Sequence, residues 1–208
     1  MTGFQKAFAA LAALALAACG VGASEAQISP HPAPTGAHLA QAVFAGGCFW
    51  SMETDFDHLD GIVETIDGYT GGHVAHPTYA DVTTETTGHY ESVRVTYDTT
   101  KLTYAQVLHY YWHHIDPTDS GGQFCDRGPS YRTAVFVTPA QRPDAEASKA
   151  ETQHALGQNV VTQILPLGDF WPAEDYHQDY AIKNPEHYHA YRVGCGRDAA
   201  VARVWRGH

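Results

Sequence analysis

The segment that most constrains the fold is a short apolar run that ends in two glycines and a cysteine. Residues 42–47 predict a buried strand followed by a tight turn, because an apolar run bounded by glycines is typical of both. Met52 and Phe56 then follow helical spacing, and Gly61 supplies a stop signal. Cys48 is therefore expected at the first turn of a helix.

A cysteine at the start of a helix suits thiol chemistry. Free N–H groups and the positive end of the helix dipole stabilise an anion there, which can lower the pKa of a thiol to roughly 3.5–7.5. Phe49 and Trp50 add aromatic surface beside the sulfur of Cys48, where a soft apolar group could rest. The alternative is that Cys48 is a small buried hydrophobic residue, as many free cysteines are.

A second chemical group is predicted on the strand that spans residues 88–97. Strand alternation places Glu91 on the same face as Val93, Val95 and Tyr97. Burial raises the pKa of a carboxyl, so Glu91 is a candidate proton donor near neutral pH. The alternative is an edge strand that frays into water and leaves Glu91 solvated.

The clearest helix is predicted over residues 101–115, whose aromatic side chains recur at helical spacing as core residues. Its histidines invite a metal hypothesis. His113 and His114 are adjacent, however, and cannot face one ion from a regular helix. No HExxH or CxxC spacing accompanies them, so no metal site is predicted.

Several of these motifs together resemble the peptide methionine sulfoxide reductase A family. The resemblance rests on Gly-Gly-Cys-Phe-Trp at 46–50, on Gly-His-Tyr-Glu at 88–91, and on the run 123–132. It implies that Cys48 attacks the sulfoxide sulfur of the S epimer and that Glu91 is the catalytic acid. The residues that it assigns to the rest of the site are Phe49 and Trp50 for the substrate methyl group, and Tyr79, Asp126 and Tyr131 for the oxygen corner.

The resemblance also implies an α+β domain with a ferredoxin-like mixed sheet core flanked by helices. From Phe170 onward the chain is aromatic, histidine-rich and without hydrophobic period, and it contains Pro172 and Pro185. This composition predicts a long C-terminal coil wrapped over the domain.

Four cysteines divide unevenly between an N-terminal segment and the domain. If Cys19 is lipidated, Cys48, Cys125 and Cys195 remain, an odd number that argues against a static disulfide framework. A sulfenic acid formed on Cys48 would condense with a second thiol. Cys195, which has glycines on both sides, and Cys125 are both candidates for that thiol, with Cys195 the first choice. No prosthetic cofactor is predicted, and a thioredoxin-like dithiol is expected to recycle the enzyme.

The N-terminus has the pattern of an export signal. Lys6 precedes an uncharged run over residues 7–18 that is too short to span a bilayer. Residues 16–20 resemble a bacterial lipobox, in which Cys19 becomes the lipidated first residue; an ordinary signal peptide cleaved near Ala23 is the alternative. The predicted organisation is a signal peptide over 1–18, a lipidated linker over 19–38 and one reductase domain over 39–208. A periplasmic location is expected, anchored to the outer membrane because Gly20 rather than Asp follows the cysteine.

The formal net charge of −11 argues against nucleic acid as a partner. Oxidised proteins or peptides and a thioredoxin-like reductant are the expected partners of a monomeric enzyme. Two other classes of function stay open at this point. A cysteine hydrolase would pair Cys48 with a histidine base, and a lipoprotein scaffold would have no activity.

Overall fold

The computed structural model describes residues 38–208. The β-strands are β1 (Leu39–Gly46), β2 (Ile62–Thr70), β3 (Tyr90–Asp98), β4 (Gly122–Gln123), β5 (Asp126–Arg127), β6 (Thr133–Val137), β7 (Gln163–Pro166) and β8 (Phe170–Pro172). The helices are α1 (Phe49–Asp57), α2 (Tyr79–Val82), α3 (Tyr104–Trp112), α4 (Arg142–Leu156), α5 (Tyr180–Lys183), α6 (Pro185–Cys195) and α7 (Arg197–Val204), with a 3₁₀ turn over Pro129–Tyr131. Within this part of the chain no helix combines the length and the apolar character needed to cross a bilayer.

The central sheet has six strands in the order β7-β6-β1-β3-β2-β8. β1, β2, β3 and β6 are joined by antiparallel pairing, and α1 and α3 make the two crossover connections. This is the ferredoxin-like arrangement that was predicted. β7 extends one edge in parallel to β6, and β8 extends the other edge in antiparallel pairing to β2.

The main core lies between the sheet and its two crossover helices. Phe44 of β1 stacks on Phe56 of α1 and on Tyr111 of α3, with ring centroids 5.2 and 4.7 Å apart. All three side chains are fully buried. Because β1 is sandwiched between β3 and β6, its C-terminal end delivers Cys48 directly beside the strand that carries Glu91.

Polar side chains form reciprocal hydrogen bonds at the start of two helices. Thr103 and Gln106 form a capping box at the start of α3. Thr138 and Gln141 form a similar pair before α4, since Thr138 accepts from the Gln141 N–H and the Gln141 side chain accepts from the Thr138 N–H. Pro143 falls in the first turn of α4, where its missing N–H costs nothing.

The prediction of a C-terminal coil is wrong, because most of residues 180–204 form α5, α6 and α7. Pro185 begins α6 instead of preventing a helix. Polar contacts hold these helices to the domain: Arg192 of α6 and Arg197 of α7 both pair with Asp55 of α1. Hydrophobic periodicity detects only helices that pack through an apolar face. It therefore did not predict these helices, which are held by polar contacts.

β2 continues past Gly68 to Thr70, although residues 67–72 are rich in glycine, a composition typical of a loop. β8 pairs with this extension, with Gly68 opposite Pro172. A Cβ atom at Gly68 would lie 2.5 Å from the carbonyl oxygen of Trp171, so only glycine allows the two strands this close.

Candidate active site

Cys48 occupies the junction that the sequence predicted, between β1 and α1. It is the N-cap residue of α1, and its carbonyl oxygen accepts hydrogen bonds from the N–H groups of Ser51 and Met52, at 3.1 and 3.4 Å. Gly47 makes the turn at a φ of +85°, and a Cβ there would lie 2.7 Å from Cβ of Gln123. The cysteine is 7% exposed and forms no disulfide.

Glu91 lies buried beside this turn. Its side chain is 2% exposed, and Oε2 accepts a hydrogen bond from the Phe49 N–H at 3.1 Å. Burial raises the pKa of Glu91 to about 8, although the Phe49 N–H and the Tyr131 hydroxyl act in the opposite direction. Glu91 is therefore a carboxylic acid that still holds its proton at neutral pH.

Two tyrosines from separate loops meet above Glu91. Tyr79 begins α2, whose N-terminus Thr78 and Asp81 close with a capping box, and Tyr131 ends the 3₁₀ turn. Their hydroxyls hydrogen-bond each other, and Tyr131 also hydrogen-bonds Glu91. Burial raises the pKa of Tyr79 to about 12 and that of Tyr131 further, so both are neutral donors.

The expected lowering of the Cys48 pKa is wrong. Burial, and then the charge of Glu91, raise the pKa of this thiol well above its ordinary value of 9.0. A helix start stabilises an anion by about 0.3–1 kcal/mol, whereas full burial can shift a pKa by several units, so burial dominates. In this conformation Cys48 is a thiol.

Asp126 and Tyr191 form the other wall of the site. The Tyr191 hydroxyl donates to Oδ2 of Asp126 at 2.5 Å and also hydrogen-bonds Cys48, while the Asp126 carboxylate accepts from the Cys48 N–H. Burial raises the pKa of Asp126, and the hydrogen bond from Tyr191 opposes that shift. A continuous set of hydrogen bonds thus joins the thiol to a carboxylate.

The two remaining domain cysteines are bonded to each other in a Cys125–Cys195 disulfide. Cys125 lies exposed between β4 and β5, and Cys195 ends α6, one helical turn after Tyr191. Sγ of Cys195 lies 3.9 Å from Oδ2 of Asp126. The disulfide therefore borders the same carboxylate that contacts Cys48.

One group in the described chain has the spacing for a metal ion, formed by Cys125, Asp126 and Cys195. The disulfide between the two cysteines removes both thiolates, so this group does not have the donor set that a metal needs. His113 and His114, for which the sequence analysis weighed a metal site, each form a hydrogen bond with a carbonyl oxygen of α3.

Phe49 and Trp50 extend from the cysteine into an aromatic cluster. The Trp50 indole N–H donates to Nδ1 of His177 at 3.0 Å, and its ring stacks on Tyr180 at 3.7 Å with an interplanar angle of 5°. The His177 ring also contacts Phe49 and Tyr79. Burial lowers the pKa of His177 to about 4, so this ring is neutral at pH 7.

The structure brings every predicted site residue of the domain into one region, except that Cys125 and Cys195 border it as a disulfide. Cys19 lies outside the described residues. Sequence reasoning missed His177, Tyr180 and Tyr191. Their only signal was the density of aromatic residues and histidines after residue 170, which the sequence analysis assigned to a coil.

The neighbours of Cys48 decide between chemical classes. They are the carboxyl groups of Glu91 and Asp126 and the hydroxyl of Tyr191, whereas His177 engages the indole of Trp50. The arrangement offers a proton to a substrate oxygen and lacks the cysteine–histidine contact that a cysteine hydrolase uses.

Sequence comparisons agree with this chemistry. The profile of the family described as Peptide methionine sulfoxide reductase matches residues 40–208. Peptide methionine sulfoxide reductase MsrA 2 of Caulobacter vibrioides is 58% identical over 177 residues, covering 85% of this chain and 90% of that protein. MsrA of Bacillus licheniformis is 50% identical over 171 residues, covering 79% and 92%. These relatives give no support to a hydrolase.

Solved structures lead to the same family. Methionine sulfoxide reductase A of Corynebacterium diphtheriae aligns with a TM-score of 0.65 and 31% identity, over 72% of this chain and 77% of that one. Mxr1 of Saccharomyces cerevisiae in its reduced form aligns with a TM-score of 0.70 and 30% identity, over 73% and 89%. The chain belongs to the peptide methionine sulfoxide reductase A family and reduces methionine (S)-S-oxide to methionine.

Proposed function

We propose that Cys48 attacks the sulfoxide sulfur while Glu91 donates its proton to the sulfoxide oxygen. The observation that carries this assignment is a buried carboxyl, protonated to about pH 8, beside a buried thiol. A sulfoxide oxygen is a poor leaving group unless it is protonated, so a neutral acid is what the step needs. Tyr79 and Tyr131 hold the oxygen with their hydroxyl groups.

The thiol must lose its proton as it attacks, and the Tyr191 hydroxyl connects it to the Asp126 carboxylate. The proton of Cys48 passes to that carboxylate as the sulfur–sulfur bond forms. Collapse of the adduct moves the hydroxyl from the substrate to Cys48, so the substrate leaves as methionine and the cysteine becomes a sulfenic acid. Two electrons pass from the cysteine to the sulfoxide.

The substrate methyl group rests on the aromatic surface beside the sulfur. Trp50 is half-buried and Phe49 is fully buried, so Trp50 supplies the accessible face and Phe49 supports it. A flat aromatic surface favours a methyl group over a charged one, because the contact is apolar.

Cys195 is the thiol that resolves the sulfenic acid, and Cys125 follows it. Cys195 lies one turn beyond Tyr191, whose hydroxyl contacts Cys48, which places α6 against the reacting sulfur. Attack by Cys195 releases water and forms a Cys48–Cys195 disulfide. Attack by Cys125 on Cys195 then frees Cys48 and gives the Cys125–Cys195 disulfide present in the structure. A thioredoxin-like dithiol reduces it at the exposed Cys125.

The location of the enzyme is also a proposal. We infer that residues 1–18 are a signal peptide and that lipidated Cys19 and the linker to residue 38 tether a monomeric domain, residues 39–208, to the periplasmic side of the outer membrane. The motif around Cys19 supports this. Expression in a bacterial host with labelled palmitate should label the protein, and a soluble unlabelled product would contradict it. Light scattering of the domain without its N-terminal segment, residues 39–208, tests whether it is monomeric.

The order of the thiols is tested by one turnover of fully reduced protein without reductant, followed by peptide mapping. The wild type should yield Cys125–Cys195, and Cys125→Ser should stop at Cys48–Cys195. Cys195→Ser should accumulate the Cys48 sulfenic acid, trapped with a dimedone reagent. A rapid Cys48–Cys125 bond in Cys195→Ser would reverse the assigned order. Cys48→Ser should reduce no sulfoxide, and retained activity would remove the proposed nucleophile.

A further inference from the structure

The plane of Trp50 is fixed by neighbours that come from a distant part of the chain. Tyr180 lies parallel to it at 3.7 Å, and His177 accepts its indole N–H at 3.0 Å. Trp50 is the second residue of α1, whereas Tyr180 is the first residue of α5. The orientation of the aromatic surface therefore depends on how α5 is attached to α1.

α5 cannot supply that attachment by itself. It spans only Tyr180–Lys183, and a helix of one turn is not stable in isolation. Asp179, just before it, adopts a left-handed φ of +52°, which an L side chain rarely adopts. The first N–H groups of the helix also need acceptors, because no carbonyl of the helix reaches them.

Glu53 provides those acceptors from α1. It lies one turn after Trp50, and its side chain is 2% exposed. Oε1 accepts the N–H of Asp179 at 2.9 Å, and the carboxyl also accepts the N–H of Tyr180. A closed set of contacts results, from α1 through Glu53 to the backbone of Tyr180 and back through its ring to Trp50.

We propose that Glu53 is a positioning residue for substrate binding, which holds Tyr180 against Trp50 and so keeps the Trp50 ring in place to receive the substrate methyl group. The proposal rests on the proposed function of Trp50. Glu53 touches neither Cys48 nor Glu91 through any hydrogen bond of the structure, so it acts on binding and leaves the proton donor and the nucleophile in place.

The interaction requires an oxygen acceptor and not a full charge. Burial raises the pKa of Glu53 to about 7, with the charges of Asp57 and Asp179 adding to the shift. The carbonyl oxygen of a glutamine side chain offers lone pairs at the same position. Glu53→Gln should therefore preserve the attachment, whereas Glu53→Ala should release α5.

The test measures single-turnover rates of the reduced enzyme against the concentration of a methionine sulfoxide peptide. Glu53→Ala and Tyr180→Ala should each raise the half-saturating concentration about 5- to 20-fold, with the limiting rate within about twofold of wild type. Glu53→Gln and Tyr180→Phe should resemble the wild type, and so should Glu151→Ala, an exposed acid on α4. The double variant Glu53→Ala/Tyr180→Ala should have about the same half-saturating concentration as either single variant, because both substitutions break the same set of contacts.

The outcomes separate this proposal from the one on which it rests. Thermal unfolding of each variant shows whether a loss of peptide binding comes from loss of the folded state. Tyr180→Ala tests the same contact while the buried acid Glu53 stays in place. If Trp50→Ala weakens binding and Glu53→Ala does not, the positioning role of Glu53 is wrong and the role of Trp50 stands. If Trp50→Ala binds the peptide like the wild type, both are wrong. A loss of limiting rate with unchanged half-saturation in Glu53→Ala would also overturn the proposal.

Discussion

At the scale of single residues, the proposed chemistry depends on the protonation state of Glu91. Its pKa of about 8 keeps the acid form at neutral pH, so the single-turnover rate should be level up to about pH 8 and fall above it, as the donor loses its proton. Glu91→Gln should lower that rate by about 10²–10⁴-fold, the usual contribution of a positioned acid. Stopped-flow measurements across pH check both, and an unchanged rate in Glu91→Gln would mean that the proton comes from another group.

Cys48 gives the second prediction at this scale. Because its thiol pKa lies above 9.0, the resting enzyme should react slowly with iodoacetamide at pH 7, and the rate should still be rising at pH 9. The measurement uses the Cys125→Ser/Cys195→Ser variant, in which Cys48 is the only thiol of the domain. A plateau in the alkylation rate below pH 8 would show that the helix start lowers the pKa of Cys48 by more than burial raises it.

At the scale of elements, the two tyrosines proposed to bind the sulfoxide oxygen stand on two short helical segments, and a carboxylate next to one segment contacts the other. Glu85 follows α2, and its carboxylate accepts the N–H and the hydroxyl of Ser130, both at 2.8 Å. Glu85 has a φ of +62°, a strain of about 1–2 kcal/mol for an L residue. We expect this contact to help hold Tyr79 and Tyr131 at their present separation.

Replacing Glu85 with glycine tests this contact. Glu85→Gly loses two hydrogen bonds from the buried Ser130 to a charged carboxylate, about 1.5–3 kcal/mol each, and removes about 1–2 kcal/mol of backbone strain, so the free energy of unfolding should fall by about 1–5 kcal/mol. The single-turnover rate of the folded variant should fall about 3- to 30-fold, because misplaced catalytic groups lose rate steeply. Ser130→Ala removes only the hydroxyl bond to Glu85 and should show a smaller loss of rate, and the exposed Thr86→Ala should show none. Full activity in Glu85→Gly would indicate that the tyrosines are placed by other contacts.

At the scale of the whole molecule, a buried arginine of α7 joins the C-terminal helices to β1 and α1. Arg197 is 2% exposed, donates to the carbonyl oxygens of Gly46 and His114, and lies 3.5 Å from Asp55. Gly46 precedes the catalytic turn. The residue therefore connects α7, the end of β1 and α1.

Arg197→Met should lower the free energy of unfolding by about 3–5 kcal/mol, because it removes two hydrogen bonds to carbonyl oxygens and one of the two arginine partners of the buried Asp55 carboxylate. Urea denaturation followed by far-UV circular dichroism measures the change. The exposed Arg203→Met on the same helix is the matched control and should remain within about 0.5 kcal/mol. Equal stability of the two variants would show that Arg197 is not an anchor.

The sequence by itself determined the catalytic frame of this protein. The strand, glycine turn and helix around Cys48 and the apolar face that buries Glu91 follow from local patterns. Such patterns need only the residues of one element, or a motif a few residues long, so they can be identified without knowledge of the fold. The family resemblance supplied the ferredoxin-like core and extended this frame to Tyr79, Asp126 and Tyr131, which lie in elements of two to four residues that are too short to show a periodicity.

Only the tertiary structure decided the electrostatic state of the site and the role of the C-terminal region. The pKa of Cys48 rises because residues from several elements bury it together with Glu91. A local sequence pattern cannot predict this desolvation, because it depends on contacts between distant parts of the chain. The Cys125–Cys195 pairing and the contacts of His177 join residues far apart in the chain. The last helices are held by buried polar contacts, whose partners become neighbours only when the chain has folded.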